Sequence, residues 1–99
     1  MDAIVRQLDM GKGSEIAVLD ISRTSSFTDY LIIATGTSAR HVMALGYHLG
    51  EDLKKQNVCV RVEGRQGDGS WIAVDAGSIV VHLFTADTRR KYNLEELWR

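Results

Sequence analysis

Two stretches of this chain are apolar with almost no interruption, and they constrain its fold more than anything else in it. Residues 16–21 read IAVLDI, broken only by Asp20, and residues 30–35 read YLIIAT. A strand with one wet face alternates apolar and polar side chains, whereas a continuous run of aliphatic residues has no wet face to offer. Both stretches are therefore predicted to be strands buried on both faces. Such strands need cover on each side, so helices must flank the sheet on both faces, giving a compact α/β sandwich. The link between the two runs, SRTSSFTD, is polar and turn-forming, which predicts a short connection within one sheet.

The remaining elements follow from periodicity. Ile4, Val5 and Leu8 recur at helical spacing until Gly11 and Gly13, which predicts one short opening helix. Gly36 permits a sharp exit from the second strand, and Thr37 or Ser38 can cap a helix running to about Gln56. On a 3.6-residue wheel Ala39, Val42, Met43, Gly46, Leu49 and Leu53 face the sheet, and Arg40, Tyr47, Glu51 and Lys55 face water. Beyond Asn57, VCVRVE reads as a third strand that includes Cys59, and GRQGDGS as a glycine-rich loop. WIAVDAG and SIVVHLF read as two further strands joined by a tight turn at Ala76-Gly77. TADTRRKY is a short helix begun by Thr85. Asn93 with Glu96 three residues on has capping-box spacing, which predicts a last turn carrying Leu94, Leu97 and Trp98 on one face. The expectation is one domain over residues 1–99, with a mixed sheet of about five strands flanked by helices.

Composition then excludes several classes of function. At 99 residues, 44% apolar and 25% charged, the chain is an ordinary globular domain rather than a disordered or fibrous one. Its longest uncharged apolar runs are about eight residues, far short of the ~20 that cross a bilayer as a helix. The first ten residues, MDAIVRQLDM, carry acids and resemble neither a secretory signal nor a transit peptide, so the chain is read as cytosolic, or as organellar and already trimmed. A single cysteine, Cys59, excludes an internal disulfide and a cysteine-based zinc site. Twelve basic residues against thirteen acidic ones leave no basic excess for phosphate contacts, so little direct nucleic-acid binding is expected. Lys54-Lys55 and Arg89-Arg90-Lys91 are read as solvated helical faces.

Candidate chemistry is sparse. Asp20, Asp29 and Asp75 lie near strand ends, but none has a partner acid one residue away on the same face of a strand, as a bridging metal pair needs; they are read as capping turns or pairing locally. GDGS at residues 67–70 lacks the GK[ST] ending of a phosphate loop and precedes a strand, where such a loop opens a helix. GTS at residues 36–38 does lie between strand and helix, where backbone N–H groups can hold an anion. His41 and His48 are seven residues apart on a helix, about 10 Å of rise and too far to share a metal ion. His82, inside an apolar strand, is read as a hydrogen-bonded structural residue. No nucleophile elbow is present.

Binding is better supported. Trp71, Phe84, Tyr92 and Trp98 all fall in the last third of the chain, and aromatic residues anchor many protein interfaces. Strand periodicity places Trp71, Ala73 and Asp75 on one face and Val80, His82 and Phe84 on one face. A sheet face that mixes aromatics with small and polar residues suits a partner that comes and goes.

The segment SSFTDYLIIATGTSARHV, followed by VEG, then WIAVDAGSIVVHLF and finally YNLEELW, resembles the ribosomal silencing factor family, RsfS, also called the Iojap family. The resemblance runs over nearly the whole chain. It implies a nucleotidyltransferase-like mixed sheet without catalysis and without a cofactor. It further implies a cytoplasmic factor that binds the large ribosomal subunit through large-subunit ribosomal protein fourteen, sterically blocks joining of the small subunit, and forms homodimers. Organellar relatives act in large-subunit assembly. The family's partner-binding positions carry over to Trp71, Ala76, Gly77, Ser78, Val80, His82 and Phe84. Ala76 stands where relatives often have a larger apolar residue, and Ser78 where an acid is common. Residues 30–34 are then buried strand, Asp29, Thr35, Thr37 and Ser38 secure the turn into the helix, and Arg40 and His41 lie exposed beside it. The rival expectation is a small nucleotide-handling enzyme using GTS and the aspartates.

Overall fold

The computed structural model of the chain describes residues 2–24, 28–64 and 69–93. Within them the order is α1 (Asp2–Met10), β1 (Ser14–Asp20), β2 (Tyr30–Gly36), α2 (Ala39–Lys55), β3 (Arg61–Gly64), β4 (Trp71–Asp75), β5 (Ile79–Thr85) and α3 (Ala86–Tyr92). The five strands form one mixed sheet in the order β1-β2-β5-β4-β3. Only β2 and β5 run parallel; β1–β2, β5–β4 and β4–β3 are antiparallel pairs. The α/β architecture with a mixed five-stranded sheet is the one expected.

β2 meets the expectation of burial on both faces: every residue from Leu31 to Gly36 is buried. β1 does not. Its residues are exposed or half-buried, with Val18 at 43%, because the strand forms one edge of the sheet. Its pairing is also interrupted between Ser14 and Ala17, where Glu15 adopts a positive φ of 49°. Such a bulge at an edge discourages the addition of a foreign strand.

The cover is equally uneven. Ile4 and Leu8 of α1 and Val42, Leu45, Leu49 and Leu53 of α2 pack over Ile32, Ala34, Val74, Val81 and Leu83. On the opposite face Ile21, Leu31, Ile33 and Phe84 form a smaller cluster, with Leu19, Trp71 and Val80 partly buried against it. Here the only described helix is α3, which touches β5 and β2 and buries no residue of its own. Cover by helices on both faces is thus confined, on this side, to one end. Arg89 ties α3 down, its guanidinium donating to the Glu15 carbonyl exposed by the bulge (2.6 Å) and to the buried Thr35 hydroxyl (2.7 Å).

α2 begins as expected, with the Ser38 hydroxyl accepting from the His41 N–H at 3.1 Å. Its inward stripe is Val42, Leu45, Gly46, Leu49, Gly50 and Leu53, so Leu45 takes the place expected for Met43, which is 54% exposed. Gly46 lets the helix approach β4: a Cβ there would stand 2.8 Å from Ile72 Cγ2. Strand β3 is shorter than VCVRVE, since Val58, Cys59 and Val60 precede it, and Cys59 is exposed. The β4–β5 turn is shifted by one residue. Ala76 N–H donates to the Ile79 carbonyl (2.9 Å), leaving Gly77 and Ser78 as the two loop residues. Gly77 has φ 78° while Ser78 does not take a positive φ, the pattern of a II′ hairpin with glycine first. The capping-box turn of Glu96 with Leu94, Leu97 and Trp98 lies outside the described residues, as do residues 65–68 of the glycine-rich loop. Asn93 itself ends α3 with φ 45°.

Candidate docking site on the open face of the sheet

The register turns two sets of alternating residues into one surface. Trp71 pairs with Phe84, Ala73 with His82 and Asp75 with Val80, so the faces read separately from β4 and β5 are the same face. It is the face that α1 and α2 do not cover. Opposite Asp75 and Ala73 on the other side of β4 stand Arg61 and Glu63 of β3, which therefore point the same way.

Trp71 is the centre of an aromatic group. Its ring centroid lies 4.7 Å from Tyr92, 5.0 Å from Phe84 and 5.8 Å from His82. Its indole N–H donates to His82 Nδ1 at 2.9 Å. The Trp71 ring is half-buried, whereas Phe84 is only 1% exposed. Phe84 accordingly forms the base under Trp71 and offers no contact surface, contrary to its place among the expected binding residues. Val80 and His82 are half-buried on the same face. Beside them Arg61, Glu63, Ala73, Asp75 and Val80 line a depression of about 180 Å³. Arg61 and Glu63, neighbours on one face of β3, pair with each other at 3.4 Å.

The hairpin tip divides between the two sides. Gly77 and Ser78 are exposed. Ala76, expected with the binding face, instead packs against the helix-covered core, because strand alternation sends it with Ile72 and Val74. The tip is held from the start of β2: Thr28 Oγ1 donates to the Gly77 carbonyl (3.0 Å), and the Asp29 and Tyr30 N–H groups donate to the Ser78 carbonyl (2.8 and 3.0 Å). Asp75 accepts from the Gly77 N–H at 3.1 Å.

The features that suggested catalysis are engaged in structure. Asp20 accepts from the Ser22 hydroxyl (2.7 Å) and N–H (3.0 Å), and these bonds hold its pKa below the usual carboxylate value. In the GTS turn the Thr37 N–H donates to His41 Nδ1 (2.9 Å), while Ser38 caps α2. His41 is not simply exposed: its Nε2 meets the Gly11 carbonyl at 2.8 Å, joining α1 to the β2–α2 turn. Among the described residues no group of three or more His, Cys, Asp or Glu side chains is placed to hold a metal ion. Arg61 and Glu63 were missed from sequence. The alternation R-V-E was visible, but the pairing of β3 with β4 that brings these residues to this face was not.

The family profile described as "Ribosomal silencing factor during starvation" matches residues 1–99. The chain belongs to the ribosomal silencing factor (RsfS) family. It is 38% identical to the ribosomal silencing factor RsfS of Haemophilus influenzae over 98 residues, covering 99% of this chain and 96% of that protein. It is 35% identical to a mouse protein called mitochondrial assembly of ribosomal large subunit protein 1, of which it spans 44%. A crystal structure of a Chromobacterium violaceum protein superposes with a TM-score of 0.92 at 37% identity, covering 98% of this chain and 81% of that one. RsfS membership carries a role in silencing the ribosome, that of a regulatory, ribosome-associated factor. No helix among the described residues is long and apolar enough to cross a membrane.

Proposed function

We propose that this RsfS domain docks on the large ribosomal subunit in the cytoplasm through large-subunit ribosomal protein fourteen, using the open face of β3–β4–β5, and so blocks joining of the small subunit. The observation that carries the reading is the asymmetry of the sheet. Two helices close one face, while the other presents a half-buried Trp71 on a closed aromatic base, next to a charged rim of exposed Arg61 and Asp75 and half-buried Glu63. An aromatic anchor with a polar rim is the usual anatomy of a protein–protein contact. The net charge of −1 suits a protein partner better than rRNA phosphates. The blocking step is steric and needs no chemistry: a domain on the intersubunit surface occupies space that the small subunit requires. The homodimer implied by the resemblance belongs to the same reading, and equilibrium sedimentation tests it.

Replacing Trp71 tests the docking face. Trp71→Ala is expected to weaken cosedimentation with large subunits by about 2 kcal/mol, roughly thirtyfold. Thermal melts on the same preparation separate lost contact from lost fold. A folded variant that binds like the parent contradicts the proposal.

A further inference from the structure

An ionisable ring at position 82 is unexpected in an otherwise apolar strand, IVVHLFT. Its surroundings explain it. His82 stands opposite Ala73 in the β4–β5 ladder, and Trp71 stands opposite Phe84, so Trp71 and His82 are diagonal neighbours on one face. The small Ala73 side chain leaves room for the two rings to meet, at 5.8 Å between centroids. There the indole N–H donates to His82 Nδ1 at 2.9 Å. To accept, Nδ1 must be unprotonated, which puts the proton of the neutral ring on Nε2. His82 also stacks on Phe84, 6.0 Å away and inclined by 14°, so its own ring plane is set by the base of the cluster.

Phe84 and Tyr92 limit where the Trp71 ring can lie, but neither ring engages the indole N–H in a directed hydrogen bond. A tryptophan held only by ring packing can rotate; one with a directed hydrogen bond has a fixed orientation. We propose that His82 is a positioning residue, which fixes the pose of the Trp71 anchor before a partner arrives rather than contacting the partner itself. The proposal rests on the docking reading above. It places part of the affinity in pre-organisation, because an anchor already in its bound pose loses less freedom on association.

The test uses the full chain carrying Trp98→Phe, so that Trp71 is the remaining tryptophan of the two in the sequence. In this background His82→Leu removes the acceptor at similar volume, and His82→Asn keeps one, because Asn Oδ1 lies at the same branch point as Nδ1. Without ribosomes, Trp71 emission and its quenching by acrylamide report the pose; cosedimentation with large subunits reports affinity. His82→Leu is expected to red-shift the emission, increase quenching and weaken binding roughly tenfold, about the cost of ordering one freed side chain on association. His82→Asn is expected to restore both readouts close to the parent. If Trp71→Ala loses binding while folded His82→Leu binds like the parent, the positioning role is overturned and the docking face stands. If Trp71→Ala itself binds like the parent, the docking reading falls and the positioning role with it. Should His82→Leu not fold, His82→Asn decides alone. Parent-like emission with parent-like affinity supports positioning, and parent-like emission with lost affinity makes His82 a direct contact and overturns it.

Discussion

His41 joins segments 30 residues apart, taking the Thr37 N–H on Nδ1 and meeting the Gly11 carbonyl with Nε2. Both bonds are made by a neutral ring with its proton on Nε2. His41→Ala is expected to destabilise the fold by about 1–2 kcal/mol, the net worth of two partly solvated hydrogen bonds, without weakening large-subunit binding by the folded fraction. A urea titration with cosedimentation checks this, and an unchanged midpoint contradicts it. Asp20 has an acid-range signature. Its folded pKa is lowered from 3.8 by the Ser22 hydroxyl and N–H, so its stabilisation is present above the unfolded value and is lost as pH falls through the folded one. Asp20→Asn should therefore be less stable than the parent at neutral pH, with the gap closing as pH drops below 3.8; melts from about pH 6 to pH 2 test it, and a gap that does not change with pH contradicts it. The turn-capping role of Asp20 was legible, because an Asp two residues before a Ser invites a local bond. The His41 link was not, because its partner Gly11 is distant in sequence.

At the scale of elements, periodicity found the helices and strands but not their places in the sheet. IAVLDI and YLIIAT look alike as apolar runs, yet one is an edge strand and the other is central, and only the strand order β1-β2-β5-β4-β3 distinguishes them. The inward face of α2 was rotated by a small step, exchanging Leu45 for Met43, because a wheel gives a stripe's width better than its centre. Gly46 lies inside the stripe in either version, and its role can be tested. Alanine favours helix over glycine by about 1 kcal/mol, but a Cβ at 2.8 Å from Ile72 Cγ2 must push α2 or Ile72 aside. We expect Gly46→Ala to lose about 1–3 kcal/mol, the cost of overpacking, in thermal or urea unfolding. A stabilised variant would mean that propensity outweighs the close approach.

Among the described residues, the sheet is closed on one side by α1 and α2, and on the other α3 covers one end. Period-two alternation made the open face legible, since it grouped Trp71 with Ala73 and Asp75, and Val80 with His82 and Phe84. Three details required the folded chain. Ala76 falls on the closed side, Phe84 lies beneath the surface, and Arg61 and Glu63 join the face through the β3–β4 ladder. The central claim, that this face seats the domain where the small subunit must bind, is tested most directly by subunit joining in sucrose gradients. Added in stoichiometric excess to dissociated subunits, the protein is expected to lower the yield of whole ribosomes, while Trp71→Ala, folded, lowers it much less and addition to ribosomes already joined has little effect. A gradient profile unchanged by the parent protein at that excess would contradict the account.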